Sequence, residues 1–325
     1  MPSKVSSLTT ISRAEFILPN LGSLIMGLAW GVRSPIGIDE LVILILVSFT
    51  VINLSSAIGA QVNTLSDHDL DSRDERKRSL VTALNMFGTQ RLQIVILIEF
   101  LLALTLVSVF AVTQQNFLLL LLWIIGISLG SAYSLSPLRL KARSWLAPVS
   151  LMLVLAIFPV LFAYFAFTAE MNPFFLLSLT GLPLTVYSVI IPTEIRDYFG
   201  DKAMGIETMT VRLGLVHASM LSIALLILGA LFTGTALVLH WISTRNLWLN
   251  TFVLAIPAAV VFVVRKFKQL HALSQEYEKS NEKGTTTQKI VSFASNNPQW
   301  IMIVTQTYSA LSIILLLSKF LFNQY

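Results

Sequence analysis

The sequence contains no cysteine among its 325 residues, and only 12% of its residues are charged. The absence of cysteine excludes disulfide bonds, thiolate metal sites and thiol nucleophiles. The charged fraction is low, 55% of the residues are hydrophobic and the mean hydropathy is +0.77. These values exclude a water-soluble globular protein. The composition therefore indicates an integral membrane protein.

Long apolar runs recur along the whole chain, and no glycine-serine linker or low-complexity tract separates them. A helix needs roughly 20 apolar residues to cross a bilayer, and these runs are continuously apolar rather than alternating, which predicts helices. We expect one transmembrane domain over residues 1–325, an all-α bundle of nine helices around a central cavity. We also expect a polar loop at residues 266–299, with room for a surface helix around Leu270 to Tyr277. The predicted runs lie near residues 15–31, 41–62, 92–112, 116–134, 146–168, 173–193, 214–238, 247–264 and 299–321.

The basic residues are divided unevenly between the two sides that this topology defines. Of the 22 lysines and arginines, only Arg33, Arg245 and Lys319 fall on the side opposite the N-terminus. Basic residues concentrate on the cytoplasmic side of membrane proteins, so we expect the N-terminus and the loops after even-numbered helices to be cytoplasmic, or on the equivalent side of an organelle. The net charge of +5 is then juxtamembrane, where it contacts anionic membrane lipids and predicts no nucleic-acid partner.

Two clusters of oxygen-bearing side chains stand at the ends of apolar runs on this cytoplasmic side. They consist of Asn63, Asp67 and Asp71 after the second run, and of Glu194, Asp197 and Asp201 at the end of the sixth. The spacing within each cluster is three or four residues, so a continuing helix presents the side chains on one face. Hard oxygen ligands suit Mg²⁺ or Mn²⁺ rather than zinc, and Mg²⁺ is commonly completed by substrate phosphate. The clusters therefore predict a divalent-metal site for a diphosphate substrate.

Basic side chains accompany the first cluster and the loop between the fourth and fifth runs. They are Arg76, Lys77, Arg78, Arg139 and Lys141, and together with a metal they would bind a diphosphate. A single basic residue in a cytoplasmic loop more often serves topology, and a single helix-end carboxylate more often caps a helix or pairs with a cation. Two one-face acidic clusters on the same side favour the metal site over these alternatives.

Three ordered motifs resemble those of the UbiA superfamily of intramembrane prenyltransferases, and the resemblance spans almost the full chain. The segment from Asn63 to Asp71 reads N-T-L-S-D-H-D-L-D, similar to the family's N-D-x-x-D-x-x-x-D. The segment from Glu194 to Gly214 begins E-I-R-D-Y-F-G-D and ends T-V-R-L-G, similar to the family's D-x-x-D-x-x-x-D and G-x-x-T-x-x-V-R-L-G. The segment from Tyr133 to Lys141 reads Y-S-L-S-P-L-R-L-K, similar to Y-S-x-P-P-L-R-L-K.

The resemblance implies a Mg²⁺-dependent enzyme of nine transmembrane helices that ionises an isoprenyl diphosphate and transfers its prenyl group. It implies two Mg²⁺ ions, with Mn²⁺ as an alternative, and places Glu194 where the family often has aspartate. The implied metal ligands are Asn63, Asp67, Asp71, Glu194, Asp197 and Asp201, and the four aspartates among them are the implied catalytic residues. The implied substrate-binding residues are Lys77, Arg78, Arg139 and Lys141 for the diphosphate, and Tyr133 for the allylic cation.

The chain departs from the family's motifs at three positions. Thr64 replaces the acidic residue usual after the first asparagine, and Ser79 and Ser136 stand where proline is common. We expect the loss of one carboxylate to weaken or rearrange metal binding. The diphosphate chemistry is expected to survive, because the other ligands are present.

The resemblance leaves open what captures the cation. The leading expectation is an aromatic ring, a tetrapyrrole or a lipid alcohol as acceptor, and the alternative is a terpene cyclase with an aromatic-lined pocket. The candidates for that lining are Phe110, Trp123, Trp145, Phe158, Phe162 and Tyr187. A cation-coupled transporter is disfavoured because the acids lie at helix ends beside basic loops. His68 is either a proton acceptor or solvated, so a general base stays unassigned.

Overall fold

The computed structural model describes residues 3–32, 36–72, 77–244 and 255–322. These residues form helices joined by short connections, and within those ranges there is no β-strand, which confirms the all-α prediction. Arg33, Arg76 and Arg245, and the first part of the predicted run at 247–264, lie outside the described residues.

The α-helices are numbered here in chain order. They are α1 (Lys4–Ile11), α2 (Ile17–Gly31), α3 (Ile38–Asp71), α4 (Arg78–Phe87), α5 (Thr89–Thr113), α6 (Leu118–Ser134), α7 (Leu146–Met152), α8 (Phe158–Phe165), α9 (Pro173–Ala203), α10 (Met209–Leu213), α11 (Leu215–Thr244), α12 (Ala255–Lys279), α13 (Lys283–Ala294) and α14 (Asn297–Phe322). Short 3₁₀ turns occur at Ala14–Phe16 and Leu140–Ala142. A π-helical stretch at Leu153–Ile157 joins α7 to α8, just before Pro159, which has no N–H to continue the α-helical bonding.

Each predicted apolar run coincides with helix over its described residues. The helical segments long and apolar enough to cross a membrane are six in the described ranges: Ile38–Asp71, Thr89–Thr113, Leu146–Phe165, Pro173–Ala203, Leu215–Ser243 and Lys283–Lys319. They indicate a multi-pass membrane protein. The count of nine crossings and the side of the N-terminus stay predictions.

The stretch at residues 266–299, expected as a polar loop, is largely helical. Helix α12 continues through it to Lys279, and α13 follows after a short break. Leu270 and Ile290 are buried in a cluster with Ile191 and Ile195 of α9. The apolar residues of this stretch recur at helical spacing and pack on α9 and α11, so its many polar residues mark the outer face of two helices.

Small residues allow the closest helix crossings. An added Cβ at Gly181 of α9 would lie 2.5 Å from the carbonyl oxygen of Gly229 in α11, and one at Gly229 would clash with Thr185 Oγ1. At the contact of α2 with α8, an added Cβ at Gly27 would lie 2.5 Å from Ala163 Cβ. Helices in membranes associate through such close packing because lipid tails supply no hydrophobic drive between them.

A substitution at the crossing of α9 and α11 tests this packing. Gly229→Ala should lower the thermal unfolding temperature in detergent, since overpacking of this kind costs about 1–3 kcal/mol. Gly234→Ala in the same helix is the matched control, because an added Cβ there meets nothing within 4 Å. Equal unfolding temperatures for the two variants would contradict the proposed role of the crossing.

Candidate functional site

A cavity of about 960 Å³ lies among α2, α3, α6, α7, α8, α9 and α14. One end of it is polar and the other is apolar. The charged side chains grouped at the polar end, with one asparagine, are Arg13, Asn63, Asp67, Asp71, Lys77, Arg139, Lys141, Glu194, Asp197, Asp201 and Glu207. Every implied metal ligand and substrate-binding residue lines this cavity except Arg78, which is exposed at the first position of α4.

Helix α3 carries the first acidic cluster on its cavity face. It runs unbroken to Asp71, so Asn63, Asp67 and Asp71 follow one another down one side, as their spacing predicts. Asp67 and Asp71 are buried, with 8% and 6% of their surface exposed. Buried carboxylates are costly unless cations or hydrogen-bond donors compensate them.

Three cations compensate this cluster. Lys141 Nζ contacts Asp67 Oδ1, and Arg139 Nη2 lies 3.4 Å from the same oxygen. Lys77 Nζ lies 2.6 Å from Asp71 Oδ1. Lys141 Nζ also donates to Asn63 Oδ1 at 3.2 Å. The connection between α6 and α7 is thereby held against the end of α3.

Lys141 is the most enclosed of these cations. Burial lowers the pKa of its ammonium group below the ordinary value of 10.5, while the hydrogen bond and the negative charge of Asp67 oppose that shift. Its side chain is 17% exposed, against 40% for Lys77 and for Arg139. Lys141 therefore presents its charge in a poorly solvated position, where it acts on an anion more strongly than in water.

Two arginines of the polar end adopt a backbone conformation that is unfavourable for them. Arg13 has φ of +49° and Arg139 has φ of +37°, and Gln115 is the other non-glycine residue with positive φ in the described ranges. Such residues cost of order 1–3 kcal/mol each and concentrate at functional sites. Arg13 has no distinguishing signal in the sequence beyond its charge on the side of the N-terminus. Its guanidinium makes no hydrogen bond or ion pair with a described residue.

Helix α9 brings the second acidic cluster to another wall of the cavity. Asp197 forms a two-point ion pair with Arg196, with Nε to Oδ1 at 2.9 Å and Nη2 to Oδ2 at 3.0 Å. Asp201 lies one turn further on and also lines the cavity. Asn172 positions the helix by accepting bonds from the N–H groups of Phe174 and Phe175 at its start.

Glu194 is held differently from the aspartates. Its Oε2 accepts a hydrogen bond from Thr210 Oγ1 at 2.6 Å, and its Oε1 accepts one from the Tyr187 hydroxyl at 3.1 Å. Thr210 belongs to α10 and is fully buried. Glu194 therefore ties α10 to α9 while it lines the cavity.

The donor set fits Mg²⁺ in its chemistry, since every candidate ligand offers oxygen. Among the residues that the structure describes, however, no three His, Cys, Asp or Glu side chains are close enough to hold a metal ion by themselves. Mg²⁺ usually takes one or two carboxylates with waters and substrate phosphates rather than an all-protein cage. Carboxylates divided between two walls suit an ion that a phosphate ligand completes.

Two residues of the first motif do not face the cavity. Thr64 is buried, with 3% exposed, and its hydroxyl donates to the carbonyl of Ala60 within α3. His68 bonds through Nε2 to Asn85 Oδ1 at 3.0 Å in α4. Neither belongs to the cavity lining. An acidic residue at position 64 would therefore not add a carboxylate to this face of the cavity.

The apolar part of the cavity is partly aromatic. Of the aromatic candidates, Trp123, Phe158 and Phe162 line it together with Tyr133. The other three are not among the lining residues, and Trp145 is 54% exposed. Helical periodicity could not separate these groups, because every helix here is apolar on several faces.

A model of the UbiA prenyltransferase family matches residues 20–281 of the chain. No curated protein sequence matches this chain. Among solved structures, a UbiA homologue from Archaeoglobus fulgidus bound to DMAPP and Mg²⁺ is 16% identical, with a TM-score of 0.61 over 92% of this chain and 99% of that chain. A digeranylgeranylglyceryl phosphate synthase is also 16% identical, with a TM-score of 0.62 over 95% of this chain and 99% of that chain. At these identities the similarity shows a common fold.

The hydrogen bond between Thr210 and Glu194 gives a testable stability effect. Thr210→Val should destabilise the protein by about 1–3 kcal/mol, because it leaves a buried carboxylate oxygen without its donor. Thr180→Val is the matched control, since Thr180 is exposed and bonds only to Leu177 within α9. The measurement is thermal unfolding in detergent, and an equal effect of both substitutions would show that the link between α9 and α10 contributes nothing.

Proposed function

The chain belongs to the UbiA prenyltransferase family, and we propose that it is a Mg²⁺-dependent intramembrane prenyltransferase that ionises an isoprenyl diphosphate and transfers the prenyl group to an aromatic or lipid acceptor. The observation that carries this proposal is the cavity itself, in which acids and cations share the polar end of an apolar chamber. An isoprenyl diphosphate has the same division, with a charged head and a hydrocarbon tail. The DMAPP and Mg²⁺ bound by the archaeal homologue support this choice of substrate and metal.

The metal would be held by the oxygen ligands of the two acidic clusters. Asn63, Asp67 and Asp71 would hold one ion, and Asp197 and Asp201 a second, with Mn²⁺ as an acceptable substitute. Glu194 stands beside the second group, and its two hydrogen bonds suit it to fix the end of α9. When bound, Mg²⁺ supplies positive charge that stabilises the departing diphosphate.

The cations at the polar end would bind the diphosphate. The ion pairs of Lys77, Arg139 and Lys141 with the carboxylates of α3 support a role for them in binding the charged head. Charge-assisted hydrogen bonds from such groups are strongest in a site that excludes water. Arg78 is exposed and outside the lining, and the proposal therefore assigns it no contact with the diphosphate.

Tyr133 and the apolar walls would protect the cation that ionisation leaves behind. Tyr133 lines the same cavity as Asp67, Glu194 and Asp201. An aromatic ring stabilises a cation through its π face. The apolar walls beyond it exclude the water that would otherwise quench the cation.

One solved structure of the same fold favours transfer to an acceptor over internal cyclisation. The digeranylgeranylglyceryl phosphate synthase, whose name describes a glycerol-lipid product, supports a lipid alcohol as one class of acceptor. No general base is assigned, since His68 lies outside the lining.

Loss of a single cluster aspartate tests the metal assignment. Asp67→Asn or Asp197→Asn should reduce Mg²⁺-dependent diphosphate release on the order of 100-fold, because each removes charge that stabilises the leaving group. Asp69→Asn is the matched control on the same helix, where the side chain is fully exposed. Full activity in both cluster variants, with unfolding temperatures unchanged, would remove the basis of the proposal.

The capture of the cation is tested by product analysis. Purified protein with Mg²⁺ and isoprenyl diphosphates of ten to twenty carbons should release little diphosphate alone and much more when an aromatic or lipid alcohol is added. Mass spectrometry should then detect the prenylated acceptor. A cyclic hydrocarbon or alcohol formed without any acceptor would establish the terpene cyclase instead.

A further inference from the structure

The cavity walls on two helices change from mostly small to bulky side chains with distance from the acids. The lining next to the polar end consists of Gly59, Ala60, Ser56 and Ser55 on α3, and of Gly130 and Gly126 with Ile127 between them on α6. One turn further from the acids, the lining side chains become large. They are Val51 and Ile52 on α3, Leu122 and Trp123 on α6, and Phe162 on α8.

The glycines of these walls leave room rather than bring helices together. An added Cβ at Gly59 would meet nothing within 4 Å. At Gly126 the nearest atom would be Phe158 Cδ2 at 3.6 Å, and at Gly130 it would be Val154 Cγ1 at 3.6 Å. These are ordinary contact distances, in contrast to the clash at Gly181. The part of the cavity that follows α6 from Tyr133 past Gly130 and Gly126 to Trp123 is called the channel here.

Trp123 is fixed in place at this end. Its indole Nε1 donates to Ser55 Oγ at 2.9 Å, and Ser55 Oγ donates to the carbonyl of Val51 at 2.8 Å. Its ring lies against Phe100 of α5, with ring centroids 5.4 Å apart. Only 5% of the residue is exposed. A side chain bonded to α3 and packed on α5 cannot swing aside without losing both interactions.

The length of the channel can be read from α6. Tyr133 and Trp123 are ten residues apart, which corresponds to about 15 Å along the helix axis. Each five-carbon unit of a prenyl chain adds four bonds, and an extended chain with bonds of about 1.5 Å advances roughly 1.2 Å per bond. About three such units therefore extend from Tyr133 to Trp123.

We infer that Trp123, held by Ser55, closes the prenyl channel and limits the substrate to about fifteen carbons. This inference rests on the proposed function, since it takes the channel to hold the tail of an isoprenyl diphosphate. It names a residue that selects the substrate by length, while the polar end recognises the head group. A longer chain fits only if the indole moves.

Binding of isoprenyl thiodiphosphates of 10, 15, 20 and 25 carbons tests the inference without an acceptor. Calorimetry in detergent with Mg²⁺ should show the wild-type protein binding the 20-carbon analogue about tenfold or more weakly than the 15-carbon analogue. Trp123→Ala should remove that difference, and Ser55→Ala should reduce it while conserving the volume of the wall. Gly126→Leu should act in the opposite direction, weakening the 15-carbon analogue relative to the 10-carbon one.

Trp145→Ala is the matched control, because Trp145 is exposed and outside the cavity lining, and it should leave the length profile unchanged. If Trp123→Ala does not fold, Trp123→Phe and Gly126→Leu carry the same test. Equal binding of all lengths by the wild type, or an unchanged profile in folded Trp123 and Gly126 variants, would overturn the inference alone. Failure of the wild type to bind any analogue would overturn the proposed function as well.

Discussion

The need to neutralise two buried carboxylates at the end of an apolar helix governs the polar half of this protein. Asp67 and Asp71 carry charge where little water reaches them, so cations must approach from other segments. Lys141 comes from the connection after α6, and Lys77 from the residue before α4. The same contacts that satisfy α3 thus collect cations at one end of the cavity. An anionic head group entering there would meet charges already desolvated, which act more strongly than charges in water.

The second acidic cluster is supported by a separate set of contacts. Arg196 neutralises Asp197 from the neighbouring position, and Thr210 and Tyr187 hold Glu194. The short helix α10 is thereby attached to the end of α9. Thr210, which follows the second motif in sequence, therefore helps to fix the end of α9. Asp197 and Asp201 line the cavity.

Glycine has two opposite uses in the apolar half. Gly181 and Gly229 let α9 and α11 approach until an added methyl group would clash with backbone. Gly59 has open space beside it, Gly126 is in ordinary contact with Phe158, and both line the cavity. The first pair brings two helices into close contact, and the second pair adds no side-chain volume to the cavity. A cavity can persist in a packed membrane protein because the helices around it are held together elsewhere.

The sequence by itself determined the helical class, the position of each apolar helix and the face on which each acidic cluster lies, because those properties depend on spacing along a single segment. Local spacing carries no information on which segments converge. Only the tertiary structure decided that Arg13 and Lys141 reach the cavity while Arg78 stays exposed, and that Trp123 lines it while Trp145 does not. Within 266–299 the sequence predicted at most a surface helix around Leu270 to Tyr277 for the same reason, since burial against α9 and α11 rather than composition extends the helices through that stretch. Packing between segments that are distant in sequence gives two residues of the same type different positions. No local sequence pattern encodes which segments pack together.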